Sequence, residues 1–281
     1  MSESGSHKSP VAGPWLAVVG LAIASVSAMC GIGGGLFAVP VLHYIFRVPL
    51  KQAVATALCL VWAVAVSATI AEALHPDGAL FWSIILVLVG ASLLGTQLGF
   101  LIARRIKTRT LKGVFCLALL VAGAKIMAIS GGSGLATDGG FSLDPAALGY
   151  VAVVGLLAGI AVPLLGVGGG LVVVPALLLG LPQVGWYGAR AVSLAMAVVS
   201  SSIALRLYHS VALVNWATGR WLGVGAALGA ILGVQLVHRT GAAEVGQVLL
   251  GAVLCSAGVR FGWDFIRPAR KDVTADEGSQ S

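Results

Sequence analysis

Apolar residues run along this chain in unbroken stretches, and the stretches come in two sets. Segments 11–30 and 36–46, 52–74, 79–103 and 111–130 form the first; 146–165 and 171–181, 188–208, 217–238 and 243–266 form the second. About 20 apolar residues suffice to cross a bilayer as helix. Continuous runs without apolar/polar alternation favour helices over a barrel. The pattern predicts an all-α polytopic membrane protein. Near the start of each set the run is interrupted by a near-copy of one peptide. The copies are Gly31-Ile-Gly-Gly-Gly-Leu-Phe-Ala-Val-Pro-Val-Leu42 and Gly166-Val-Gly-Gly-Gly-Leu-Val-Val-Val-Pro-Ala-Leu177. Gly31 and Gly166 lie 135 residues apart, as do Pro40 and Pro175. Glycine and proline both disfavour a continuous helix.

The repetition extends past the glycines. Ser67, His75 and Trp82 return as Ser201, His209 and Trp216 at a shift of 134, and Gln97 returns as Gln235 at 138. Ala122-Gly-Ala-Lys125 matches Ala257-Gly-Val-Arg260. The expected organisation is two internal repeats, each a Gly/Pro-broken helical segment plus three transmembrane helices. They occupy 11–130 and 146–266, joined by a Gly/Ser/Asp connector at 131–145. A disordered N-terminus, 1–10, and a polar C-terminal tail, 267–281, flank them. The apolar stretch 11–30 resembles a signal peptide only loosely, having one fixed cation before it, and is expected to be retained.

Composition supports the membrane assignment: of 281 residues 58% are hydrophobic and only 10% charged, with a mean hydropathy of +1.01. The net charge of +7 falls between the apolar runs, so it points to membrane topology and away from nucleic acid. If each broken segment enters and leaves on one side, the halves are inverted. Lys8, Arg47, Lys51, the 104–112 cluster, Arg206, Arg220 and the C-terminal cations then fall inside; Lys125, Arg190 and Arg239 fall towards the outside. The positive-inside rule favours this arrangement over two parallel halves. The four cysteines (Cys30, Cys59, Cys116, Cys255) lie in apolar runs without metal spacing, and neither metal nor cofactor is expected.

Paired breaks at matching positions of two membrane halves point to a transporter's substrate site. Gly33, Gly34, Gly35 and Pro40, with Gly168, Gly169, Gly170 and Pro175, are the candidate substrate-binding residues. Amides at a restarting helix and the positive end of its dipole suit an anion. The plainer reading is a tight helix crossing through small residues. Glu72 is the only carboxylate well inside a span, and its repeat counterpart is Arg206. The two either meet or face different entrances, and with His75 and His209 they are candidates for gating or coupling. The plainer reading places all four at helix ends near the interface. Thr56, Ser193, Gln97 and Gln235 are candidates for a polar pathway, against back-bonding to their own helices or interhelical amide packing. Expected partners are the lipid bilayer, a small anionic substrate and a coupling proton or sodium ion.

The tandem Gly-x-Gly-Gly-Gly-Leu-x-x-x-Pro-x-Leu motif resembles the TauE/SafE sulfite exporter family, as does the His-to-Trp spacing at His75…Trp82 and His209…Trp216. The resemblance covers about 11–266. It departs at Leu213, which stands near where the first half has Gly78, and at Thr56-Ala57 and Val192-Ser193. It implies a multi-pass protein of the cell (inner) membrane that moves sulfite, thiosulfate or organosulfonates, and no enzyme. Two rival classes are weighed. Gly131-Gly-Ser133-Gly134 with His209 or His238 as base would suit an intramembrane protease. A non-transporting membrane scaffold is the other.

Overall fold

The computed structural model describes residues 13–76, 80–105 and 144–239, with isolated positions between 248 and 263. Its helices are α1 (Pro14–Cys30), α2 (Gly35–Pro40), α3 (Leu50–Leu74), α4 (Trp82–Arg105), α5 (Pro145–Leu165), α6 (Gly170–Gly180), α7 (Gly185–Ser210) and α8 (Trp216–Arg239). A π turn, Val41–Ile45, continues α2, and a 3-10 turn, Pro182–Val184, precedes α7. Five helical stretches are long and apolar enough to cross a membrane: Lys51–Leu74, Trp82–Ala103, Pro145–Leu165, Pro182–Ser210 and Trp216–His238. The expected span at 111–130 lies outside the described residues, and that at 243–266 lies largely outside them.

Local chemistry sets the ends of the broken segments. α1 and α5 each open on a proline, whose fixed φ suits the first helical turn. Each ends on a glycine in the left-handed region, Gly31 at φ +72° and Gly166 at φ +69°. The restarting helices are capped by Gly34 at φ +86° and Gly169 at φ +79°. The break therefore lies at the glycines alone. Pro40 and Pro175 sit inside α2 and α6, correcting the expectation that they help interrupt the chain. One missing donor is absorbed there, and in α2 the helix widens into a π turn directly after Pro40.

Small residues bring helices of the two halves into backbone contact. A Cβ at Gly225, Gly229 or Gly233 of α8 would land on the carbonyls of Ala17, Leu21 and Ser25 of α1. Both series ascend, so α1 and α8 run parallel. Gly95 and Gly99 of α4 meet the carbonyls of Leu156 and Ile160 of α5, again in parallel. Such close approach is what drives helix association in lipid, where no hydrophobic gain separates helix from tail. Gly229→Leu is expected to separate α1 from α8 and to lower folded yield severalfold in detergent. An unchanged elution profile and melting temperature would count against this contact.

At the centre α3 and α7 cross antiparallel. Thr56 meets the chain after α7 at Asn215, Trp62 bonds Ser202 at 2.9 Å, and Glu72 meets Arg190 near the start of α7. The short helices return along these two. Gly34 lies beside Leu60, and Val39 and Val54 meet over Gly166, so α2 descends against α3. Gly169 lies beside Met196, and Val174 and Arg190 meet over Gly31, so α6 runs against α7.

Candidate functional site

The two glycine breaks pack on each other, backbone against backbone, in the interior. A Cβ on Gly35 would overlap the Gly166 carbonyl oxygen, and one on Gly170 would overlap the Gly31 carbonyl oxygen. Gly33 faces the Gly168 Cα, with 3.5 Å from its would-be Cβ. All six glycines singled out from sequence are buried here, with Pro175, while Pro40 is half-buried. In each break the cap carbonyl accepts two amides: Gly34 from Phe37 and Ala38, Gly169 from Val172 and Val173. The amides of Gly35, Leu36, Gly170 and Leu171 find no backbone acceptor among the described residues. Irregular backbone at membrane depth is tolerated only when buried in protein or lining a cavity.

The last turns of α1 and α5 leave carbonyls that their own helices cannot satisfy. Corresponding carbonyls, at Ala28 and Pro163, are met by different chemistry. Arg190 Nη1 donates to Ala28 at 3.2 Å, and the Tyr208 hydroxyl donates to Pro163 at 2.6 Å. The second site is neutral, with Phe100 edge-on to Tyr208. The first is ionic. Arg190 Nη2 lies 2.6 Å from Glu72 Oε2, and both side chains are fully buried. His238 Nε2 joins them, 3.2 Å from Glu72 Oε1 and 3.3 Å from Arg190 Nη2. The His75 ring stacks on His238 at 3.9 Å, and Tyr187 stacks on its side at 5.3 Å. Ser193, one turn beyond Arg190, donates to the Gly31 carbonyl at 2.9 Å. The ion pair thus bears directly on the first break.

This group differs from what the sequence suggests. Glu72 pairs with Arg190 and His238, whereas Arg206 is exposed and does not meet it. Arg190, expected towards the outer side, is buried within the protein. The apolar-run boundary at 188 placed Arg190 at a helix end; α7 begins at Gly185, which carries it inward. His238 was weighed only as a protease base. Ser133 lies outside the described residues.

The remaining candidates scatter. Ser193 joins the first break, but Thr56 is buried at the far end of α3, accepting the Asn215 amide at 3.2 Å. His209 is exposed and accepts from Trp216 Nε1 at 3.2 Å. Gln97 and Gln235 are exposed, and Gln235 borders a cleft of about 370 Å³ between α3 and α8 that also touches Ser67 and His75. Among the described residues no cluster of His, Cys, Asp and Glu is suited to hold a metal ion.

The family model for the sulfite exporter TauE/SafE matches residues 2–126 and 151–280. The probable membrane transporter protein YunE of Bacillus subtilis (strain 168) is 30% identical over 115 residues, covering 40% of this chain and 41% of that protein. The probable membrane transporter protein MamO of Magnetospirillum gryphiswaldense is 29% identical over 117 residues, covering 40% of this chain and 18% of that one. The match therefore spans less than half the length of either relative. No solved structure matches.

Proposed function

We propose that this chain, which belongs to the sulfite exporter TauE/SafE family, carries sulfite or a related small sulfur-containing anion across the cell membrane by alternating access. It is a multi-pass membrane transporter, with five helical stretches able to span.

The observation that carries it is the crossing of the two glycine breaks. Two short helices start side by side there, with amides that find no backbone acceptor among the described residues and the positive ends of their dipoles in the protein interior. The helix directions support two inverted repeats with re-entrant broken segments. α1, α3 and α8 run one way; α4, α5 and α7 run the other. Corresponding helices of the halves thus point in opposite senses, as the distribution of cations favours. Rocking of one half against the other would open the breaks to either side in turn.

Radiolabelled sulfite flux into proteoliposomes tests the proposal, with Gly34→Val and Gly169→Val beside the wild type. Side chains there would press on Leu60 and Met196, whose ends can move, and would strain a left-handed backbone. Saturable wild-type flux, reduced at least about tenfold in both variants while they elute as folded protein, is expected. Wild-type flux equal to empty liposomes would reject sulfite as the cargo.

A further inference from the structure

One nitrogen beside the first break has two incompatible partners. His238 Nε2 lies 3.2 and 3.3 Å from the two Glu72 carboxylate oxygens and 3.3 Å from Arg190 Nη2. A guanidinium can only donate, and an ionised carboxylate can only accept. In the neutral ring with its proton on Nδ1, Nε2 accepts from Arg190 and holds the guanidinium in place. With a proton, Nε2 donates to Glu72 and presents an N–H to the guanidinium, which is repelled. A proton on this ring therefore weakens the hold of Glu72 and His238 on Arg190 together.

Arg190 has capacity to spare. Its Nε is buried and has no hydrogen-bond partner among the described residues. Its neighbours on the packed elements are the Ala28 carbonyl and Cys30 from α1, Glu72 from α3 and His238 from α8, on whose ring Tyr187 of α7 stacks. His75, just past α3, stacks on His238 and borders the 370 Å³ cleft. The cluster thus lies between that cleft and the first glycine break.

Resting on the anion-transport reading above, we infer that Arg190 binds the transported anion and that Glu72 occupies it in the empty protein. A proton on His238 draws Glu72 away, so that anion and proton bind together. The ligand class is a small oxyanion held by the guanidinium beside the Gly31–Gly35 backbone. The only bond made or broken is the Nε2–H bond. Its proton comes from water and returns to water when the anion leaves.

Thiosulfate keeps its charge across the range in which histidine titrates, so it isolates the protein's own proton. Binding is read by thermal shift on the purified full chain at about pH 6 and about pH 8. Wild type is expected to bind about tenfold more tightly at the lower pH. His238→Gln should lose that pH dependence, and Arg190→Gln should not bind at either pH. The Glu72→Gln/Arg190→Gln double variant removes both buried charges, which guards against misfolding, and it too should not bind. Wild-type binding by either Arg190 variant, or an unchanged pH dependence in His238→Gln, overturns the inference.

Thiosulfate flux measured in parallel separates the two claims. Binding with this profile but without flux rejects transport and keeps the site. Flux carried equally by wild type and the double variant keeps transport and rejects the site. Neither binding nor flux overturns both.

Discussion

Gly35→Ala and Gly170→Ala will each remove most of the folded protein, although each adds a single methyl group. At Gly35 the new Cβ falls on the Gly166 carbonyl oxygen, and at Gly170 on the Gly31 carbonyl oxygen. Neither obstacle is a side chain that can rotate away. Relief needs one break to shift against the other, and with it the helices on both sides. Overpacking a tight interior costs about 1–3 kcal/mol, and more where backbone must move. Gly90→Ala and Gly149→Ala are the controls, because a Cβ at either meets nothing within 4 Å. In a helix interior alanine is better than glycine by about 1 kcal/mol, so these should be neutral or stabilising. Melting temperature and monodisperse yield in detergent make the comparison. If Gly35→Ala behaves like Gly90→Ala, the breaks do not cross as described.

The second large effect lies at the ion pair. Glu72→Ala leaves the Arg190 guanidinium buried without its counter-charge, and Arg190→Ala does the converse. Breaking a buried pair from one side costs about 3–5 kcal/mol, whereas replacing both charges with neutral groups is often close to neutral. Glu72→Gln/Arg190→Gln should therefore melt nearer to wild type than either alanine variant or either single glutamine variant. Additive losses in that double-mutant cycle would mean that the two side chains do not depend on each other.

The breaks were readable because glycine clusters inside apolar runs have few other uses, and because the peptide occurs twice. Helices expected at 52–74, 146–165 and 217–238 appear as Leu50–Leu74, Pro145–Leu165 and Trp216–Arg239. The glycine rows in α4 and α8 have a spacing of four, which puts small residues on one helical face. The ionic site was not legible, for two reasons. A repeat shift relates positions that occupy corresponding places, not positions that touch, so it paired Glu72 with Arg206. The true partner comes from the start of α7, which only the antiparallel crossing with α3 brings near. The burial of Arg190 was not legible either: the apolar run starts only at 188, whereas the 3-10 turn Pro182–Val184 leads into α7 from Gly185 and sets the arginine within the helix. The prolines misled as well. Their φ fits a helix, and only the donor is missing.

The parallel contact of α1 with α8 has a consequence for biogenesis. About 185 residues lie between the end of one and the start of the other. At about 5–20 residues per second, α1 waits on the order of 10–40 s before its partner is made. α4 and α5 are separated by only about 40 residues and can join far sooner. During that wait the small-residue face of α1 rests against lipid, which costs it little because lipid tails are as apolar as side chains. A ribosome stalled before Trp216 would thus leave α1 inserted but undocked, a defined target for membrane quality control.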